Sequence, residues 1–199
     1  NALKKVKGNY LAFLDVDDLW EKEKLMTQLK EFRDENIGIS FTNSLYFSKK
    51  RKKNLYNQKA NIQVNTKTLI TNYSLSLNSI MIDMNKLKRL DYDFDQNYSH
   101  ICDFDLIVRL STISKVKYLK RVLSGWRIHG NNESFKKKGL FNQEKEKWCN
   151  YHLSKKYLSK YIKQINELKL LIEAENRILK YKFNWDNFHN QNISCIKNK

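Results

Sequence analysis

The chain has 199 residues, no proline and five glycines, and 38 Lys and Arg against 21 Asp and Glu give it a formal charge of +17. That length suits one domain of ordinary size plus a tail, and a surface so positive attracts polyanions, whether nucleic acid, anionic lipid or sugar diphosphates. No apolar run approaches the ~20 residues that span a bilayer, and Cys102, Cys149 and Cys195 form no Cys-x-x-Cys pair, which argues against a disulfide frame or a zinc site.

Asn1 to Lys7 read as the end of a helix, with Leu3 and Val6 on one face and Gly8 closing it. Leu11 to Trp20 then run Leu-Ala-Phe-Leu-Asp-Val-Asp-Asp-Leu-Trp, an apolar strand that empties into Asp15, Asp17 and Asp18. A buried strand of this kind delivers carboxylates to the edge of a sheet, where open α/β sheets bind ligands. The acidic triplet has a plain reading as a turn that caps the next helix. A calcium loop of the EF-hand type fails, because Trp20 stands where its Gly is required. An aspartyl-nucleophile phosphatase stays open, although such enzymes continue Gly-Thr where this chain has Asp18-Leu19.

Glu21 to Glu35 are expected to form an amphipathic helix with Leu25, Leu29 and Phe32 facing inward, and Ile37 to Phe47 a strand. Lys49-Lys50-Arg51-Lys52-Lys53 make a basic loop. Thr66 to Tyr73 suit a short helix and Leu77 to Ile82 a strand. A helix follows near Asp103, whose carboxylate stands at its start, and Asp105 and Arg109 are spaced for an i, i+4 pair. Lys115 to Val122 read as a strand leading to Gly125-Trp126-Arg127-Ile128-His129-Gly130-Asn131-Asn132-Glu133-Ser134. Gly139 to Tyr181 are expected to be helical, a basic amphipathic stretch able to pack on the core, pair with another chain or lie on an anionic membrane. The expected division is therefore 1–138, 139–183 and a loose tail at 184–199.

Gly8 to Trp20, followed by Lys24-Leu25 and Gln28, resembles the Asp-x-Asp segment of family 2 glycosyltransferases of the GT-A fold. Cys102-Asp103-Phe104-Asp105-Leu106 with Arg109-Leu110 resembles the family's Glu-Asp segment, Cys102 replacing the Glu, and Arg127-x-His129 with Ser134 resembles its closing segment. The resemblance implies an α/β, GT-A-like (Rossmann-like) mixed sheet flanked by helices, with a C-terminal helical extension. It implies an inverting, Mn²⁺- or Mg²⁺-dependent transfer of sugar from a nucleotide-diphosphate sugar donor to a saccharide or lipid-linked acceptor, in surface polysaccharide or glycolipid synthesis. Asp103 would be the catalytic base, Asp17 and His129 metal ligands, and Asp15, Asp18, Arg109 and Arg127 substrate contacts. No Gln-x-x-Arg-Trp supports a processive synthase.

In the family, the first strand and the base-recognising loop precede the position of Asn1. The chain by itself is thus expected to be poorly stable or self-associating, through an uncovered edge at Tyr10 to Leu14. The competing expectation is a non-catalytic basic fragment on anionic membrane or nucleic acid, the latter disfavoured because no Gly-rich phosphate loop or RNP-like motif is present. The expected location is cytoplasmic, at the inner face of the membrane.

Overall fold

The computed structural model describes residues 3–57 and 62–197. One compact unit spans Asn1–Asn132 and is built on a sheet of six strands. These are β1 (Tyr10–Ala12), β2 (Leu19–Trp20), β3 (Ile37–Phe47), β4 (Lys52–Asn54), β5 (Ile80–Asp83) and β6 (Lys115–Arg127). Their order is β1-β5-β3-β6-β2, and β4 pairs with the far end of β3. Among the described residues only β3 and β6 run parallel, and the other pairings are antiparallel, so the sheet is mixed as the resemblance implied.

Ile39 and Phe41 of β3 stand opposite Ile82 and Ile80 of β5, so these four share one face, and all are fully buried. After α2 (Thr66–Thr71) and the short α3 (Met84–Leu87), helix α4 (Cys102–Ser111) packs on β3 and on α2, contributing Phe104, Leu106, Ile107, Val108 and Leu110 to the core. Asn65 caps α2 with a full capping box, which starts this helix where the sequence expected one. At the foot of β3 the backbone passes so close to Ser114 that a Cβ on Gly38 would lie 2.5 Å from the Ser114 Cβ. The parallel pairing of β3 with β6 thus needs glycine there.

Four expectations are corrected in this unit. The Leu11 strand is not buried: β1 is a three-residue strand at the end of the sheet, with Tyr10 38% and Leu14 48% exposed. The helix expected over Glu21 to Glu35 is shorter, α1 (Lys24–Leu29) followed by a 3-10 turn at Glu31–Arg33; Phe32 is buried and Leu29 packs beside it as expected, but Leu25 does not face inward. Lys24 and Gln28 point in, whereas Leu25 is exposed, because the helix packs on the polar side of β3. Gln28 donates from Nε2 to the carbonyls of Ser40 (2.9 Å) and Ser79 (3.0 Å), bridging β3 to the start of β5. The strand expected from Leu77 begins only at Ile80, after a 3-10 turn at Leu77–Ser79. Of the expected N-terminal helix a 3-10 turn at Leu3–Lys5 forms, and Asn1 and Ala2 lie outside the described residues.

The second unit, Glu133–Lys199, is helical. After the short α5 (Glu133–Lys136), helices α6 (Lys138–Leu153) and α7 (Ile162–Lys197) pack together. Asn142 bonds Asn176 and Lys169 bonds Asn150, a pairing of early with late that makes the two helices antiparallel. Trp148, Cys149, Ile165, Leu168 and Ile172 are buried in this unit. Where a loose tail was expected from Asn184, α7 continues to Lys197, since no glycine or proline after Gly139 interrupts helical hydrogen bonding. Asn198 and Lys199 of that tail lie outside the described residues. Among the described residues no helix is long and apolar enough to cross a membrane.

Lys24 generates a prediction. Its Nζ is fully buried without a hydrogen-bond partner among the described residues, 4.3 Å from the centre of the Trp20 ring. Burial pulls its pKa from the ordinary 10.5 down to about 7. Between pH 7 and 10.5 the unfolded chain therefore holds one proton more than the folded one, and stability rises with pH across that window. Below pH 7 the folded chain bears the whole cost of a buried charge. Lys24→Met should stabilise the protein by on the order of 1–4 kcal/mol at neutral pH, the gain holding below pH 7 and shrinking toward pH 10. Urea melts at pH 6, 7, 8 and 9 check this.

Candidate active site

The acidic loop begins where β1 ends. The N–H of Asp18 donates to the carbonyl of Asp15 (3.1 Å), closing a turn that throws Val16 fully into solvent and turns Asp18 inward. Asp18 is 8% exposed, and both of its oxygens are taken. Oδ2 accepts from Asn78 Nδ2 at 2.7 Å, and Oδ1 from the backbone N–H of Arg127 at 2.9 Å. Burial, then the charges of Asp17 and Asp15, push its carboxyl above the ordinary value, against the two hydrogen bonds that hold the ionised form. A substrate contact was expected of Asp18. Its carboxylate instead joins the acidic loop to the end of β6, because only there do two donors repay its burial.

Asn78 makes this junction. Besides Asp18 it donates to the carbonyl of Gly125 (2.9 Å), accepts from the Ser76 hydroxyl (2.8 Å), and offers its own carbonyl to Trp20 Nε1 (2.7 Å). The acidic loop, β2 and the end of β6 thus meet on one buried amide.

With β6 fixed, Arg127 and His129 reach Asp17. His129 Nε2 lies 2.7 Å from Asp17 Oδ2, and Arg127 Nε donates to the Asp17 carbonyl at 2.8 Å. His129 Nδ1 accepts the N–H of Asn131 (3.1 Å), so in the neutral ring the proton sits on Nε2 and points at Asp17. Asn132 closes the turn by accepting from the N–H of His129 (2.7 Å) and donating to the carbonyl of Arg127 (3.1 Å). The bond from His129 holds the Asp17 carboxyl below its usual range. The Asp15 side chain is exposed and makes no hydrogen bond or ion pair among the described residues. No three His, Cys, Asp or Glu side chains among the described residues converge on one cation position, so Asp17 and His129 stand as a pair.

Asp103 lies in the first turn of α4, where its Oδ2 accepts the Tyr73 hydroxyl at 3.1 Å. Tyr73 also sets its ring edge-on to Phe104, with centroids 5.4 Å apart. Burial, then the Asp103 charge, hold the phenol well above its ordinary pKa, so it stays a donor. Five residue steps lead from Tyr73 to Asn78, which keeps their Cα atoms within about 18 Å. One loop therefore ties Asp103 at one end and Asp18 at the other.

Arg109 is corrected. It was expected at the substrate, but it is 3% exposed and bonded through Nε and Nη2 to Asp105 (2.8 and 2.6 Å) and to the carbonyls of Tyr92 and Asp93 (2.8 and 2.5 Å). Its guanidinium is also 4.0 Å from the centre of the Tyr92 ring. A guanidinium so engaged holds the loop before α4 in place.

The structure thus brings Asp17, Asp18, Arg127 and His129 together, leaves Asp15 beside them, holds Asp103 through Tyr73, and sends Arg109 elsewhere. Sequence reasoning missed Asn78, Tyr73 and Asn132. The Asn three residues after His129 carries a turn signal that could have been read, whereas nothing local marks Asn78 or Tyr73. Asn78→Ala should destabilise by roughly 1–3 kcal/mol by leaving the Asp18 carboxylate half-satisfied. In a double-mutant cycle with Asp18→Ala the two costs should fall well short of additive, which denaturant melts of the four proteins measure.

Residues 1–96, just under half of the chain, match the family model described as Glycosyl transferase family 2. Chondroitin synthase of Escherichia coli is 25% identical over 161 residues, covering 80% of this chain and 23% of that protein. Hyaluronan synthase of Pasteurella multocida is 24% identical over 199 residues, covering 98% of this chain and 19% of that protein. The chain thus spans less than a quarter of the length of either relative. Among solved structures, S. aureus TarS 1-349 in complex with UDP-GlcNAc superposes with a TM-score of 0.57 at 14% identity, covering 82% of this chain and 50% of that one. The same protein with UDP gives 0.56. The likeness in structure supports the fold, a GT-A-like sheet, and the matched sequence over residues 1–96 is similar to glycosyltransferase family 2 rather than to a phosphatase.

Proposed function

We propose that this chain carries the catalytic face of an inverting, metal-dependent glycosyltransferase that moves a sugar from a nucleotide-diphosphate donor to an acceptor hydroxyl in polysaccharide or glycolipid synthesis. The observation that carries the proposal is the meeting of Asp17, His129 and Arg127 beside the buried Asp18 junction. S. aureus TarS has been solved in complex with UDP and with UDP-GlcNAc, which supports a nucleotide sugar as the donor class here.

Asp17 and His129 would hold Mn²⁺ or Mg²⁺. Two protein ligands are too few for a closed cage, but they suit a hard cation that completes its shell with phosphate oxygens and water. When bound, the metal offsets the charge that develops on the departing diphosphate. Arg127, exposed beside Asp17, adds a fixed positive charge for the same diphosphate, and Asp15, exposed and uncommitted, is available to the donor ribose or sugar. Asp103 takes the proton of the acceptor hydroxyl as it attacks the anomeric carbon on the face opposite the leaving group, and that single displacement inverts the centre. Tyr73 presents one carboxylate oxygen in a fixed direction. We place the reaction on the cytoplasmic side of a membrane, where a lipid-linked acceptor is within reach.

Asp17→Ala should abolish metal-dependent binding of nucleoside diphosphate while leaving the melting temperature within about 2 °C, since an exposed loop carboxylate adds little to stability. Calorimetric titration with Mn²⁺ and a panel of nucleoside diphosphates tests it, and equal binding by both proteins would overturn the metal assignment. Asp103→Asn should keep diphosphate binding and lower transfer by roughly 10²-fold or more. Transfer near the wild-type rate would remove Asp103 from the base role.

A further inference from the structure

The basic run at Lys49 to Lys53 is the tip and return strand of the β3–β4 hairpin, and the geometry ties it to the candidate site. The Ser48 hydroxyl accepts the N–H groups of Lys50 (3.3 Å) and Arg51 (3.1 Å), and the Ser48 N–H donates to the Arg51 carbonyl (2.8 Å), so the tip is a built turn. All five basic residues are exposed, and none makes an ion pair among the described residues. Lys52 stands opposite Phe47, and Phe47 opposite Arg127, in one row across β4, β3 and β6. Registered partners share a face, and two strand spacings put the Lys52 and Arg127 Cα atoms about 10 Å apart. The Arg127 guanidinium lies 4.8 Å from the centre of the Phe47 ring, and its Nε holds the Asp17 carbonyl. A line of positive charge therefore runs from Asp17 out to the hairpin tip.

Five adjacent cations without acidic neighbours repel one another, and a bound polyanion relieves that repulsion. An anionic membrane is the poorer fit, because Ser48 to Lys53 include no aliphatic or aromatic side chain to enter the headgroup region. We propose that the β3–β4 hairpin is the docking site for a polyanionic saccharide acceptor, whose repeated acidic groups lie along Lys49 to Lys53 while its end reaches the site beside Arg127. The proposal rests on the glycosyl-transfer reading and adds the charge class of the acceptor.

The test is fluorescence anisotropy with labelled ten-sugar oligosaccharides, one carrying uronic acids, one linked by phosphodiesters and one neutral, beside vesicles rich in phosphatidylglycerol. The wild type should bind at least one acidic oligosaccharide, more weakly as salt rises, and the neutral one poorly. The triple variant Lys49→Glu, Lys50→Glu, Arg51→Glu should weaken that binding roughly tenfold or more at 0.1 M salt. The corresponding Gln triple should fall between, with nucleoside diphosphate affinity unchanged in both. Unaltered oligosaccharide binding in the Glu triple, no binding of either acidic oligosaccharide by the wild type, or a loss confined to vesicles would each overturn the proposal. Acidic oligosaccharide binding that falls in the triple, in a wild type that takes no nucleoside diphosphate, would support the docking site while overturning the transfer reading beneath it.

Discussion

A single buried carboxylate fixes the geometry of the candidate site. Asp18 is expensive to bury, and the fold meets that cost with two donors from distant parts of the chain, the Asn78 amide and the backbone N–H of Arg127. Neither donor is near Asp18 in sequence. Once both are in place, the acidic loop, β2 and the end of β6 are locked together, and Asp17, Arg127 and His129 follow from that lock without further adjustment. The residue that does least chemistry in the proposed reaction is therefore the one that most determines where the reactive groups stand.

The same junction accounts for the polar side of the sheet. Ser40, Thr42, Ser44 and Ser124 are all buried, and the Ser44 and Ser124 hydroxyls meet at 2.6 Å across the parallel pair of β3 and β6. Helix α1 meets this side with Gln28 and Lys24, while Leu29 packs beside Phe32, Ile37 and Met81 and Leu25 stays exposed. Gln28 makes two carbonyl contacts that hold β3 to the start of β5, whereas among the described residues the Lys24 amine has the Trp20 ring and no hydrogen-bond partner. A domain that buries such groups gives up stability on one side of its sheet, and the apolar side, with Ile39, Phe41, Ile80, Ile82 and α4, carries the folding energy.

Charge is distributed with a similar division of labour. Arg109 is drawn into the fold by Asp105 and the carbonyls of Tyr92 and Asp93, while Arg127 stays at the surface and borders the basic hairpin. Two arginines that looked alike in the sequence differ because one sits on a buried helix next to an acidic residue one turn away, and the other ends a strand at the open side of the sheet.

By itself the sequence determined the class of fold, the long β3 strand, the helix that starts beside Asp103, and the acidic loop with Arg127 and His129 as the places where chemistry gathers. These are local signals: apolar periodicity, a strand that runs into carboxylates, and spaced motifs that resemble one family. Tertiary structure alone decided that Leu25 of α1 stays exposed while Lys24 and Gln28 turn inward, since periodicity favoured Leu25 beside Leu29 and Phe32 and the buried polar strip selected Lys24 and Gln28. It also decided that β1 lies at an edge, that Asp18 turns away from solvent, that Arg109 serves the fold, and that Asn78 and Tyr73 hold the two ends of the site. Those outcomes depend on strand order, on which face of the sheet a helix meets, or on hydrogen bonds between residues 16 to 109 positions apart, and no local pattern encodes them.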